Sequence, residues 1–327
     1  MTPRSRRSGL HSLLRRSRGE GECRGNRDDS ITLRGTRLIA TAAAFCVLST
    51  DFVPVTAATR PAPSQFTSTV NLVEVYASVV DSKGQPVRGL RVEDFEVLED
   101  GEPQKMTTFT AGDFPLTVAL ALDASFSMAG KPLTIVKGAA RGFLTALRPA
   151  DQAVVIAVGS QVAVLAHAQT PRAEQLAAVD ALSAWGTTAL HDAIIAAIET
   201  VDGARGRRAL VILSDGDDRY SEASAADALA RARRSNVMVY PIALGKTRPP
   251  LFAELATLTG GRSFHAKELE GLDQTLRNIA EQLREQYLVG YSPTRTPVSG
   301  SNEWRSISVR VKKPGVSVRA RDGYYVR

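Results

Sequence analysis

Apolar positions along this chain follow two regimes. Between residues 114 and 286, continuous apolar runs of strand length alternate with stretches whose apolar residues recur every three or four positions. Leu116-Thr117-Val118-Ala119-Leu120-Ala121-Leu122, Ala209–Leu213 and Val237–Leu244 read as buried strands. Lys131–Leu147, with Ile135, Ala139, Phe143 and Leu147 on one face, reads as a helix, as do 172–182, 188–201, 222–235, Leu251–Leu258 and Leu269–Gln286. Val154–Val158 and Val162–Leu165 are two strands joined only by Gly159-Ser160-Gln161. A connection that short cannot cross over, so this pair must be antiparallel. A short strand is expected around Arg262–His265. The pattern predicts an α/β fold: a doubly wound, mostly parallel sheet with one antiparallel edge strand and helices on both faces.

Outside that region the period changes to two. Val73-Glu74-Val75-Tyr76-Ala77-Ser78-Val79 alternates, and Ser82-Lys83-Gly84-Gln85-Pro86 supplies a turn. Phe95–Leu98 and Met106–Phe109 flank Glu99-Asp100-Gly101-Glu102-Pro103, which reads as a hairpin between those two runs. The tail is β-like as well: Tyr287–Tyr291, Ile307–Val311 and Val316–Arg319. Neither segment, at roughly 45 and 40 residues, would readily form a stable domain alone. Because the ends of a doubly wound domain commonly lie near each other, 69–112 and 287–327 are expected to pair into one small β-sandwich around a domain spanning 113–286.

The first 57 residues read as an export signal. Arginines precede one apolar run, Leu38–Leu48, and the small residues Val55-Thr56-Ala57-Ala58 offer a cleavage site after Ala57. The run is too short to span a bilayer, with Asp51 and Pro54 blocking any extension; an uncleaved leader would act as an anchor, the one membrane contact expected. A Pro-bearing linker follows at 58–68. The expected location is therefore exported, periplasmic or extracellular. Cys23 and Cys46 both fall in the leader, so the mature chain has no disulfide framework and no thiol chemistry.

Charge changes the picture less than its total suggests. The 327 residues carry 41 basic and 34 acidic side chains, a formal net of +7, but residues 1–57 hold ten arginines and five acidic residues. That leaves 31 basic against 29 acidic in the remainder. With no basic patch interleaved with aromatic residues, nucleic-acid binding is not expected.

Candidate chemistry sits at the strand ends. Asp123-Ala124-Ser125-Phe126-Ser127 follows one buried strand, so a carboxylate and two hydroxyls emerge together; such oxygen ligands suit a hard divalent cation. Asp215 occupies the matching place after Ala209–Ser214, and Trp185-Gly186-Thr187-Thr188 opens a helix between them. In an open α/β sheet, ligands bind outside the carboxyl ends of the strands where strand order reverses.

These three segments, in this order, resemble the metal-ion-dependent adhesion site of von Willebrand factor type A domains. The resemblance implies metal ligation by Ser125 and Ser127, by Thr188 directly or through water, and by Asp123 and Asp215 largely through water. The middle segment departs from the family's usual Gly-Gly-Thr, so Thr187 is an alternative to Thr188. It also implies Mg²⁺ (or Mn²⁺), with a partner's exposed Asp or Glu completing the coordination. The run Pro86–Gly101 and the ending Arg321-Asp322-Gly323-Tyr324-Tyr325 are further similar to a bacterial secreted group of these proteins. The expected function is an exported, cation-dependent protein-binding or adhesion module; the alternative is a structural or assembly scaffold of the cell envelope whose metal only stabilises the loops.

Other residues have plainer readings. Serine occurs in no Gly-x-Ser-x-Gly, and Ala129-Gly130-Lys131-Pro132 lacks the Ser or Thr a phosphate-cradling loop needs. No enzyme and no small-molecule substrate are expected. His191 and Asp192 fit dipole complementation at a helix amino terminus, and His167 and His265 have no paired nucleophile. Asp217 and Asp218 read as solvated loop carboxylates shaping a negative rim, the alternative being an extension of the metal site or a second one, and Arg231-Ala232-Arg233-Arg234 reads as a solvated helix face. Trp185 reads equally as an interface residue or a packed loop anchor, Met128 as core or interface, and Phe126 as outward-facing.

Overall fold

The computed structural model describes residues 72–112, 114–267, 269–295 and 302–326. The expected export signal (1–57) and linker (58–68) lie outside these residues. Strand β1 (Val73–Asp81) opens the described chain, followed by β2 (Phe95–Glu99), β3 (Glu102–Gln104) and β4 (Met106–Ala111). The α/β part comprises β5 (Leu116–Asp123), α1 (Lys131–Ala146), β6 (Gln152–Val158), β7 (Val162–Ala166), α2 (Arg172–Ala181), α3 (Leu190–Asp202) and β8 (Arg207–Ser214). It continues through α4 (Ala225–Arg233), β9 (Val237–Leu244), α5 (Pro250–Thr259), β10 (Phe264–Ala266) and α6 (Leu272–Arg284). The chain closes with β11 (Tyr287–Tyr291), β12 (Trp304–Val311), β13 (Val316–Arg319) and β14 (Gly323–Tyr325).

Six strands form the central sheet in the order β10-β9-β8-β5-β6-β7. All pairs are parallel except β6 with β7, the antiparallel edge pair that the short Gly159–Gln161 connection requires. Side-chain parity divides β5 between two cores. Leu116, Val118, Leu120 and Leu122 pack with Phe143 of α1 and Leu276 of α6, whereas Ala119 and Ala121 face Ile194 of α3 and Phe252 of α5. With both faces covered, all eight β5 residues are buried, which is why the strand reads as a continuous apolar run. Among the described residues, no helix is long and apolar enough to cross a membrane.

The flanking segments share two four-stranded sheets, β13-β1-β11-β4 and β14-β12-β2-β3. β1 pairs with β11 and β13, and β2 with β12, so each sheet draws on both ends of the chain. Between them lies a sandwich core in which Phe95 of β2 meets Tyr287 of β11 at 5.0 Å between ring centroids. Its polar centre is Glu99, which accepts hydrogen bonds from Tyr291 (2.8 Å) and Tyr324 (2.9 Å) and pairs with Arg305 at 3.0 Å.

The hairpin around Asp100-Gly101 differs from expectation. Asp100 and Gly101 both take positive φ (49° and 85°), the conformation of a two-residue hairpin turn, so β2 pairs at once with β3. β4 instead crosses to the other sheet and pairs with β11. Pro103 fits because β3 is an edge strand, where a missing N–H costs nothing.

The arginine cluster on α4 is a second departure. Arg231 pairs with Asp202 at 3.2 Å, while Arg233 and Arg234 stack over Trp304 and Tyr325 of the sandwich. Flat, weakly hydrated guanidinium groups can cover aromatic rings while keeping their charge. The cluster is a docking contact between the two parts of the fold.

Candidate metal centre

Strand order places the site. From β5 the chain proceeds outward to β6 and β7, then returns to β8 on the opposite side of β5. The reversal leaves a crevice at the carboxyl ends of β5 and β8, where Asp123 and Ser214 are the terminal residues and Asp215 follows immediately.

Asp123 is fully buried, and both of its oxygens are engaged. Oδ1 accepts from the Ser125 N–H at 2.9 Å, and Oδ2 accepts from the Ser214 hydroxyl at 2.6 Å. The first bond folds the chain back so that Phe126–Met128 form a single 3₁₀ turn. That turn brings the Ser125 and Ser127 hydroxyls to 2.9 Å from each other, with Ser125 buried and Ser127 exposed. Met128 points into the core and Phe126, 66 % exposed, points out.

Backbone hydrogen bonds fasten the three loops together. Trp185 N–H donates to Ala124 O at 2.7 Å, and Phe126 N–H donates to Gly186 O at 3.0 Å. The Thr188 carbonyl accepts from Arg219 N–H (2.9 Å) and Tyr220 N–H (3.1 Å), joining the threonine loop to the one after Asp215. Trp185 is a packed loop anchor: a Cβ on Gly159 would lie 2.7 Å from its indole, so only glycine lets the ring sit there. Thr188 is buried, whereas Thr187 is exposed and its N–H donates to Ser160 Oγ at 2.9 Å.

The site is electrostatically unbalanced. Burial pushes the Asp123 carboxyl above its usual range; the bonds from Ser125 and Ser214 oppose this, and the neighbouring Asp215 carboxylate adds to it. Among the described residues, neither Asp123 nor Asp215 is in an ion pair with a basic side chain. Two carboxylates outside any ion pair, with hydroxyls adjacent, fit a hard divalent cation. No group of three or more His, Cys, Asp and Glu among the described residues is placed to hold a metal, so a cation here depends on the hydroxyls.

The remaining polar residues hold loops. Asp218 is not simply a solvated carboxylate: its Oδ1 accepts from Leu190 N–H (2.7 Å) and His191 N–H (3.3 Å), capping α3 from across the crevice. Asp192 accepts from Glu222 and Ala223 N–H, and His191 Nδ1 lies 3.1 Å from Ala223 O. Asp217 pairs with Arg219 on the surface, and His265 Nε2 contacts Gly245 O at 2.9 Å. Ser214 is the residue that sequence reasoning missed. Its signal was its place as the last strand residue before Asp215.

Comparison with known proteins bears on this site. The family model of the von Willebrand factor type A domain matches residues 117–281. An uncharacterized protein of Synechocystis, sll0103, is 32% identical over 114 residues, covering 33% of this chain and 27% of that protein. The match thus spans about a quarter of that relative's length. Among solved structures, a von Willebrand factor type A protein from Catenulispora acidiphila aligns over 76% of this chain and 71% of its own, at 13% identity and a TM-score of 0.47. Proximal thread matrix protein 1 from the mussel byssus, with a zinc-occupied MIDAS motif, aligns over 57% and 49%, at 15% identity and a TM-score of 0.47.

Proposed function

The chain belongs to the von Willebrand factor type A domain family, and from that premise we propose that it is an exported, Mg²⁺- or Mn²⁺-dependent protein-binding module. Domains of this family commonly serve as metal-dependent adhesion and interaction modules. The observation that carries the reading for this chain is the hydroxyl pair of Ser125 and Ser127, 2.9 Å apart near two carboxylates that form no ion pair among the described residues. Ligands on adjacent vertices of an octahedron with bonds of about 2.1 Å lie about 3 Å apart, so the spacing suits Mg²⁺.

Ser125, Ser127 and Thr188 would hold the ion directly, with Asp123 and Asp215 acting largely through water. Asp123 fits that indirect role because its oxygens already accept from Ser125 and Ser214. When bound, the ion supplies an electrophilic position that an acidic side chain of a protein partner can fill. Phe126, between Ser125 and Ser127 in the chain and exposed, would be open to such a partner. His191 is occupied with Ala223 and Asp218, which supports binding rather than acid–base catalysis.

Fastening of the three loops by their own backbone bonds favours this reading over a scaffold whose metal only stabilises them. The test follows water-proton relaxation of the Mn²⁺-loaded chain titrated with N-acetylglutamate amide and with N-acetylglutamine amide, alongside melting in EDTA. Displacement of bound water by the carboxylate alone, with a melting temperature little changed in EDTA, is expected. Equal effects of both amides, or a large loss of melting temperature in EDTA, would contradict it. Export is checked by amino-terminal sequencing of the protein recovered outside the cytoplasm, which should begin at Ala58.

A further inference from the structure

A second charged site lies far from the crevice, where the sandwich meets the α/β part. A cleft there is lined by Tyr76 of β1, Arg208 of β8, Arg233 of α4 and Arg321 just before β14. Three guanidinium groups and one carboxylate, the exposed Glu74, line it, and a second carboxylate, Asp322, lies beside them at 3.9 Å from Arg233.

Arg233 is paired with Asp322, whereas the charges of Arg208 and Arg321 are offset only in part, by Asp322 beside Arg321. Among the described residues, neither Arg208 nor Arg321 is in an ion pair. Arg208 donates from Nη1 to the Asp202 carbonyl at 2.7 Å, but its Nε is shut off from solvent and has no hydrogen-bond partner. Arg321 donates from Nε to the Gly323 carbonyl at 2.6 Å and lies over the Tyr324 ring. Backbone carbonyls satisfy donors but leave the net charge in place. An anion in the cleft would offset that charge.

We propose that this cleft binds one small inorganic oxyanion of the phosphate or sulfate type, held between Arg208 and Arg321. A guanidinium presents a planar fork of N–H donors that matches two oxygens of such an ion, which a spherical halide cannot reproduce. Burial pushes the Arg321 guanidinium down to about 10 and the nearby Arg208 adds to this; an anion would reverse that bias. Because Arg208 belongs to the central sheet and Arg321 to the carboxyl-terminal segment, the ion would tie the two parts of the fold together.

The test is calorimetric titration of the metal-free full chain with sodium phosphate and sodium sulfate, at ionic strength held constant with sodium chloride. One-site, saturable binding is expected. It should weaken by about tenfold or more in Arg208→Gln and in Arg321→Gln, the loss of one charge-assisted contact, and stay unchanged in the exposed-site control Arg310→Ala. Circular dichroism establishes whether each variant folds, and either folded variant suffices. No saturable heat from the wild-type chain, chloride binding as strong as phosphate, or undiminished binding in a folded Arg208→Gln or Arg321→Gln variant would each overturn the proposal.

Discussion

The hydroxyl of Ser214, the last residue of β8, donates to the carboxylate of Asp123, the last residue of β5, at 2.6 Å. This bond crosses the crevice floor and joins the ends of β5 and β8. Ser214→Ala should therefore weaken Mg²⁺ binding by about 10- to 100-fold, the usual cost of losing a group that orients a metal ligand. Its effect on stability should be near 1 kcal/mol, the net worth of one hydrogen bond. Calorimetry and urea unfolding measure the two separately.

The two threonines of the middle loop should behave differently. Thr188 is buried with its backbone tied to the loop after Asp215, whereas Thr187 is exposed beside Ser160. Thr187→Ala should change Mg²⁺ affinity by no more than about twofold, the range of a neutral surface change. Thr188→Ala should weaken it by about tenfold or more. The reverse order would make Thr187 the ligand.

The sandwich depends on a buried ion pair joining its two segments. Arg305 is fully buried and Glu99 nearly so, at 3.0 Å. Arg305→Met leaves the Glu99 carboxylate buried with only two tyrosine hydroxyls, and should cost about 3–5 kcal/mol. Replacing both residues, Glu99→Leu with Arg305→Met, should recover much of that loss. Chemical denaturation of the three variants checks the order.

Alkaline pH should loosen the same centre. Burial, reinforced by the hydrogen bond to Glu99, pushes the Tyr324 hydroxyl up to about 12 from a usual value of 10. Between those values the unfolded chain has released a proton that the folded chain keeps, so stability falls as pH rises. The contribution is fully present below pH 10 and lost as pH approaches about 12. Urea unfolding across this window should show a shallower pH slope for Tyr324→Phe than for the wild-type chain.

How much of this was legible depends on the range of the interactions involved. β5 and β8 stood out because both faces of each are covered, making the runs continuous, and the short Gly159–Gln161 link dictated the antiparallel edge. Asp123, Ser125, Ser127 and Asp215 were visible because they follow those runs directly. The turn at Asp100-Gly101 was recognised, but its partner strand was not. β3 has only three residues, and the switch at Lys105 depends on β11, far away in sequence. Asp218 capping α3 and Arg233 stacking on Trp304 are likewise contacts between distant segments, for which neither periodicity nor spacing provides a signal. Ser214 falls between these cases: its position was visible, but its bond to Asp123 required knowing that β5 and β8 are neighbours.

Calorimetric titration of the full chain with Mg²⁺, beside Ser127→Ala, is the most direct measurement. Ser127 is exposed and outside the core, so its loss should leave the melting temperature nearly unchanged. One-site binding by the wild-type chain that disappears in Ser127→Ala is the predicted result. No binding by the wild-type chain, or equal binding by the variant, would contradict a metal centre built on the Ser125–Ser127 pair.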